Sequence, residues 1–144
     1  MLQSSVTTKK GAVLSIVVGN NDDPVYLKDL KVTQDDNVDE FLFQFILHSS
    51  LDMIQEKQWL NQNPYLGVVE VFEQFSVSAF VSVSNVKFLL LYWGYSEVNV
   101  KGFLKALHIL WTRLAMNPLY TRDEPIVNSA FDSRVLNLFK THLG

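Results

Sequence analysis

The eight residues from Val86 to Trp93 constrain the fold more than any other stretch, because they are apolar on both faces of a strand apart from Lys87. A strand of this kind lies in the middle of a sheet that is covered on both sides. One helix cannot cover both faces of a sheet, so the chain must supply helices to two layers. Its length of 144 residues allows one such domain rather than two.

The other elements follow from hydrophobic periodicity and from turn residues. The patterns predict five strands and three helices in the order ββαβββαα. Short turns favour a mostly antiparallel sheet with the first helix on one face and the last two on the other. The fourth strand is predicted from Ser76 to Val83, with Val83 on its apolar face. We therefore predict an α/β (α+β) three-layer sandwich, with residues 1–11 as a disordered extension and residues 12–144 as a single domain.

The stretch Asp39–Trp59 predicts the first helix and contains the main anomaly of the sequence. Six apolar residues recur at spacings of three, four or seven and should face the sheet: Leu42, Phe43, Ile46, Leu47, Met53 and Ile54. The opposite, polar side also carries aromatic residues, which is typical of a protein–protein hot spot. The candidate partner interface on this side consists of Phe41, Phe45, His48, Asp52 and Trp59. A structural explanation is equally open, in which the helix rolls or the loop Lys31–Asn37 folds over the aromatic rings.

Composition excludes several classes of function. The net charge is −3 with scattered basic residues, whereas nucleic-acid proteins cluster Lys and Arg to neutralise phosphates. Without cysteine, the chain has no disulfide, thiolate metal site or cysteine nucleophile. No apolar run approaches the roughly 20 residues of a membrane span, and the first ten residues lack a secretory signal pattern. We expect a soluble, cytoplasmic protein.

The sequence assembles no recognisable catalytic or cofactor site. Each predicted helix holds one histidine, and none has a second ligand type at metal spacing. The turn Gly19-Asn20-Asn21 lacks the second glycine and the lysine of a phosphate loop. No stretch combines an acid, a base and an oxyanion donor. We predict no enzymatic activity, no metal and no cofactor.

Six short segments from about residue 12 onwards carry a family resemblance: Asn21 to Tyr26, Phe45 to Asp52, Ser78 to Val81, Met116 to Tyr120, Ser129 to Val135 and Lys140 to Leu143. Together and in this order they resemble the sedlin family of small subunits of the TRAPP vesicle-tethering complexes. The resemblance implies the longin-like (SNARE-like) fold. It places the His-x-x-Leu-Asp aspartate of the family on Asp52 and its preceding phenylalanine on Phe45.

The resemblance also implies a function without catalysis. Such a subunit would act in ER-to-Golgi vesicle transport, with other TRAPP subunits as partners and a Rab GTPase as an indirect one, peripherally attached to ER–Golgi membranes through the complex. A paralogous TRAPP subunit is one alternative, and a longin-type SNARE-regulatory domain is another. Against the latter, the sequence reaches Gly144 with no heptad segment or membrane anchor to regulate. A small-molecule or enzyme domain would require a concave pocket with convergent polar groups.

Overall fold

The computed structural model of the chain describes residues 10–19, 24–31, 40–60, 63–120, 125–126 and 129–143, without the side chains of residues 31, 40, 59 and 60. Helices and strands follow the predicted order ββαβββαα. Their bounds are Gly11–Val18 (β1), Tyr26–Lys31 (β2), Glu40–Leu60 (α1), Tyr65–Phe72 (β3), Phe75–Val81 (β4), Val86–Trp93 (β5), Glu97–Ala115 (α2) and Ser129–His142 (α3). Most of the predicted N-terminal extension, residues 1–9, lies outside the described residues, so the domain limits stay a prediction.

The five strands form one sheet in the order β2-β1-β5-β4-β3, and each of its four ladders is antiparallel. β5 lies in the middle, as its two-sided apolar pattern predicts. Along β5, Phe88 and Leu90 join the core beneath α2 and α3, while Leu89 and Leu91 join the core beneath α1. All four side chains are fully buried. The predicted three-layer sandwich is confirmed.

Lys87 is the one charged residue in this central strand, and it is accommodated at the end of the sheet. Its side chain is buried, and Nζ donates a hydrogen bond of 2.7 Å to the carbonyl oxygen of Gly19 in the turn after β1. Burial lowers the pKa of the ammonium group because it penalises the charged form. The carbonyl partner supplies the hydrogen bond that a buried donor requires.

Helix α3 is tied to the edge strand β2 through Tyr26. The Tyr26 ring packs edge-on against Phe131 with centroids 5.1 Å apart, and its hydroxyl donates to Asp132 Oδ1 at 2.5 Å. Lys28 Nζ lies 4.0 Å from the other carboxylate oxygen of Asp132. Burial, together with the hydrogen bond and negative charge of Asp132, raises the pKa of Tyr26. These contacts fasten the edge of the sheet to the two-helix layer.

Two local predictions are wrong. β4 ends at Val81, and Val83 is fully exposed in the following turn, where the amide of Asn85 donates to the carbonyl of Ser82 at 2.9 Å. Met53, predicted to face the sheet, is instead exposed on α1. The buried residues Phe43, Leu47, Ser50 and Ile54 lie within about 60° of arc, and Met53 lies at the edge of this face, about 90° from its middle.

Candidate functional site

Apolar packing holds α1 on the sheet. Phe43 meets Phe75 edge-on with centroids 5.2 Å apart and lies tilted against the Trp93 indole at 5.4 Å. Ile46 and Ile54 are also buried against the sheet. Burying side chains of this size is worth about 1.5–3 kcal/mol each. This packing fixes the face of α1 that points away from the sheet.

Polar contacts fix the same helix over the edge strand β3. The hydroxyls of Ser49 and Ser50 lie 3.1 and 2.7 Å from Glu70 Oε2, and both can instead donate to the carbonyl of Ile46. One turn further, Lys57 Nζ donates to the Val68 carbonyl at 2.9 Å. Because these donors are on the inner side of α1, the helix cannot roll without breaking them.

The outer side of α1 carries an exposed stripe formed by Phe41, Phe45, His48 and Asp52. The Phe41 side chain is 84% exposed and that of Phe45 is 67% exposed; His48 and Asp52 are also exposed. Spacings of four, three and four residues align them along one line of the helix over about 16 Å. The structure therefore brings four of the five candidate interface residues together.

The fifth candidate residue, Trp59, belongs to α1 by its backbone, but its side chain lies outside the described part of the chain. The loop Lys31–Asn37, expected in one alternative to cover the aromatic rings, falls outside the described residues except for its first position. The other alternative, a rolled helix, does not agree with the exposure of Phe41 and Phe45. The role of the stripe as an interface stays a prediction.

The stripe is aromatic and acidic. Its exposed polar neighbours on α1 are Gln44, Gln55 and Glu56, and the basic residue Lys57 turns inward to β3. Large exposed aromatic groups beside a carboxylate favour contact with an apolar pocket edged by a cation or by hydrogen-bond donors. Arginine supplies both the charge and a planar set of donors.

A groove next to the stripe was not predicted from the sequence. Helix α1 packs mainly over β3 to β5, and a cavity of about 120 Å³ lies between the helix and the β1–β2 side of the sheet. It is lined by Ser15, Val17, Pro24 and Leu27 from the strand side and by Gln44, Leu47, His48 and Leu51 from α1. Leu27 on the edge strand β2 is exposed beside this groove.

A second cavity, of about 260 Å³, lies between the C-terminal end of α2 and the start of α3, where Arg113 and Arg134 meet Phe131. Both volumes fall below the roughly 300–1,000 Å³ typical of small-molecule sites.

Among the described residues, no three acidic, histidine or cysteine side chains lie close enough to hold a metal ion. His108 packs against the rings of Phe80 and Phe88, and burial lowers its pKa. Within the described part, no helix has the length and apolar character to cross a bilayer.

The element order, the antiparallel sheet and the division of the helices between its two faces define a longin-like α+β domain. More specifically, the chain belongs to the sedlin family, since the family model described as Sedlin matches residues 17–141.

Relatives with similar sequences carry names from the trafficking protein particle. The "Transport protein particle 20 kDa subunit" of Schizosaccharomyces pombe is 34% identical, covering 88% of this chain and 96% of that protein. The "Trafficking protein particle complex subunit 20" of Saccharomyces cerevisiae is 30% identical over 89% and 96% of the two chains. A "subunit 2-like protein" of the same complex from Dictyostelium discoideum is 26% identical over 90% and 96%. The resemblance to the sedlin family is confirmed.

Proposed function

We propose that this chain is a non-catalytic subunit of a trafficking protein particle (TRAPP) complex, and that the α1 stripe binds a neighbouring subunit. The family and the names of its relatives support the first part. The exposed line of Phe41, Phe45, His48 and Asp52 carries the second. The more specific role is that of an adaptor between the core of the complex and its larger subunits.

The energetics of the stripe favour a bound state. Each phenylalanine side chain that becomes fully buried contributes about 1.5–3 kcal/mol, so Phe41 and Phe45 would supply several kcal/mol on contact. A stable interface buries about 800 Å² on each partner, which exceeds the stripe alone. We infer that the flanking polar residues Gln44, Gln55 and Glu56 form its rim.

The same proposal extends to cellular role and location. A TRAPP subunit of this kind would act in ER-to-Golgi vesicle transport, and the assembled complex would promote nucleotide exchange on a Rab GTPase. The chain would be cytoplasmic and peripheral at ER–Golgi membranes. None of these steps requires a reactive group in this subunit.

The test is co-purification of full-length variants with the other subunits. We expect Phe45→Glu and Asp52→Tyr to fold normally, because both side chains are exposed, and to lose co-purification. Two control variants make comparable changes of charge at exposed residues outside α1. Val83→Glu places a charge on another exposed apolar residue, and Asp29→Asn removes a carboxylate from the exposed side of β2. Both controls should co-purify like the wild type.

Two results would count against the proposal. If Phe45→Glu and Asp52→Tyr both recover the complex as well as the wild type does, the α1 stripe is not the interface. If the unmodified chain associates with no TRAPP subunit, it is not a subunit of the complex. Circular dichroism of each purified variant separates loss of binding from loss of fold.

A further inference from the structure

A second exposed stripe runs along α2, on the opposite side of the sheet from α1. At 100° per residue, Val98, Lys105, Ile109 and Met116 lie within about 40° of arc, over a length of about 27 Å. Val98 is 77% exposed, Ile109 56% and Met116 78%. Met116 follows the last helical residue but keeps helical dihedral angles, with φ −77° and ψ −12°. We call these residues, with the flanking Lys101 and Arg113, the α2 stripe.

The layer to which the α2 stripe belongs is positively charged, although the protein as a whole is acidic. Helices α2 and α3 carry five basic and two acidic residues, a net charge of +3, whereas the whole chain carries −3. Both acidic residues already accept hydrogen bonds: Glu97 from the Tyr65 hydroxyl at 3.1 Å and Asp132 from the Tyr26 hydroxyl. The basic residues are Lys101, Lys105, Arg113, Arg134 and Lys140, and all five are exposed.

The chemistry of the α2 stripe differs from that of the α1 stripe in a way that indicates its ligand. Protein–protein interfaces are enriched in aromatic residues and depleted in lysine, which fits Phe41 and Phe45 on α1. The α2 stripe has aliphatic side chains and lysines with no aromatic residue. Helices that lie on membranes combine basic residues with apolar side chains that enter the headgroup region. Basic clusters of this kind are attracted to anionic lipids.

The shape of the surface agrees with a flat ligand. The stripe is the outward side of a helix, and of its residues only Arg113, at one flank, borders either cavity described above. The line from Val98 to Met116 can therefore meet a plane along its whole length. Its apolar residues Val98, Ile109 and Met116 are spaced along that line, and Lys105 lies between the first two. A bilayer surface can contact all of them at once.

We propose that the α2 stripe binds the anionic headgroups of a membrane surface directly. Lys105 and Arg113 contact the negatively charged headgroups, while Val98, Ile109 and Met116 enter the interfacial region. Because α1 lies on the other face of the sheet, a protein partner and a membrane can be bound at the same time. This binding is a property of the chain itself and does not depend on the interface proposed for α1.

The experiment is co-sedimentation of the full-length chain with vesicles of phosphatidylcholine alone and with vesicles of phosphatidylcholine and phosphatidylserine in equal parts. We expect binding to the anionic vesicles only, weakening as salt is added. The double variant Lys105→Gln/Arg113→Gln should lose about 30-fold in partitioning, since each basic residue near an anionic surface contributes about fivefold. Lys101 is left unchanged, because its Nζ lies 5.4 Å from the centre of the Tyr65 ring.

The matched control is Gln44→Glu/Gln55→Glu, which changes the net charge by the same amount on exposed positions of α1. It should keep nearly all vesicle binding. Equal losses in the two double variants would overturn the proposal, because they would show an effect of net charge alone. Absence of binding to anionic vesicles would overturn it, and so would retention on poly-glutamate without vesicle binding, which would assign the stripe to an acidic protein.

Discussion

The hydrogen bond between Tyr26 and Asp132 leads to a quantitative prediction about pH. Replacing Tyr26 by Phe keeps the ring against Phe131 and removes only the hydroxyl, which lies 2.5 Å from Asp132 Oδ1. Hydrogen bonds to charged groups contribute about 1.5–3 kcal/mol to stability. The Asp132 side chain is 40% exposed, so water replaces part of the lost bond. We expect Tyr26→Phe to lower the free energy of unfolding by about 1.5 kcal/mol near neutral pH, at the lower end of that range.

The same substitution should lose its effect at alkaline pH. Folding raises the pKa of Tyr26 above its ordinary value of 10.0, so the stabilisation is fully present below pH 10.0 and is lost as pH rises towards the folded-state pKa. At about pH 11 ionisation of the unfolded phenol favours unfolding of the wild type by about 1.4 kcal/mol. The variant lacks this group. The difference in stability between the two proteins should therefore shrink to near zero.

Urea unfolding followed by far-ultraviolet circular dichroism gives the free energy of unfolding of the wild type and of Tyr26→Phe. The difference between the two proteins is measured at neutral pH and again at about pH 11, where proton linkage at Tyr26 should reduce it. Val135→Ala is the control, because it removes buried volume from α3, the helix that carries Asp132, without removing a titratable group. Its effect should be the same at both pH values. A Tyr26→Phe difference that does not change with pH would refute the assignment of the raised pKa to this contact.

Three further substitutions test the packing around the sheet. A Cβ on Gly11 would overlap the indole of Trp93, so Gly11→Ala should destabilise the fold by about 1–3 kcal/mol in urea unfolding, and a smaller cost in a Trp93→Leu background would confirm the clash. Ser50→Ala removes a fully buried donor to Glu70, so it should cost about 1 kcal/mol. Ser49→Ala, at a partly exposed position with the longer bond of 3.1 Å, should cost less, and the reverse order would contradict the account of how α1 is held.

The layers of the fold could be predicted because they depend on local patterns. The two-sided apolar pattern of Val86–Trp93 requires cover on both faces, and periodicity places the helices that provide it. The exposed position of Phe41 and Phe45 also follows from helical spacing, once the buried side of α1 is known.

Contacts between distant residues could not be predicted in this way. Tyr26 and Asp132 are 106 positions apart, and neither hydrophobic periodicity nor a turn signal pairs them. The groove beside α1 depends on the lateral position of the helix over the sheet, which periodicity does not determine. The apolar alternation continues past Val81 and therefore predicts a strand at Val83, whereas hydrogen bonds in the turn end the strand at Val81.

Hydroxyl-radical footprinting of the chain, free and within the assembled complex, tests most directly whether α1 is the surface held by a neighbouring subunit. In the free protein Phe45 and Ile109 are exposed by 67% and 56%, on opposite sides of the sheet, and both should be oxidised. We expect assembly without membranes to protect Phe45 strongly and to leave Ile109 unchanged. Equal oxidation of Phe45 in the free and assembled states would contradict the proposed interface.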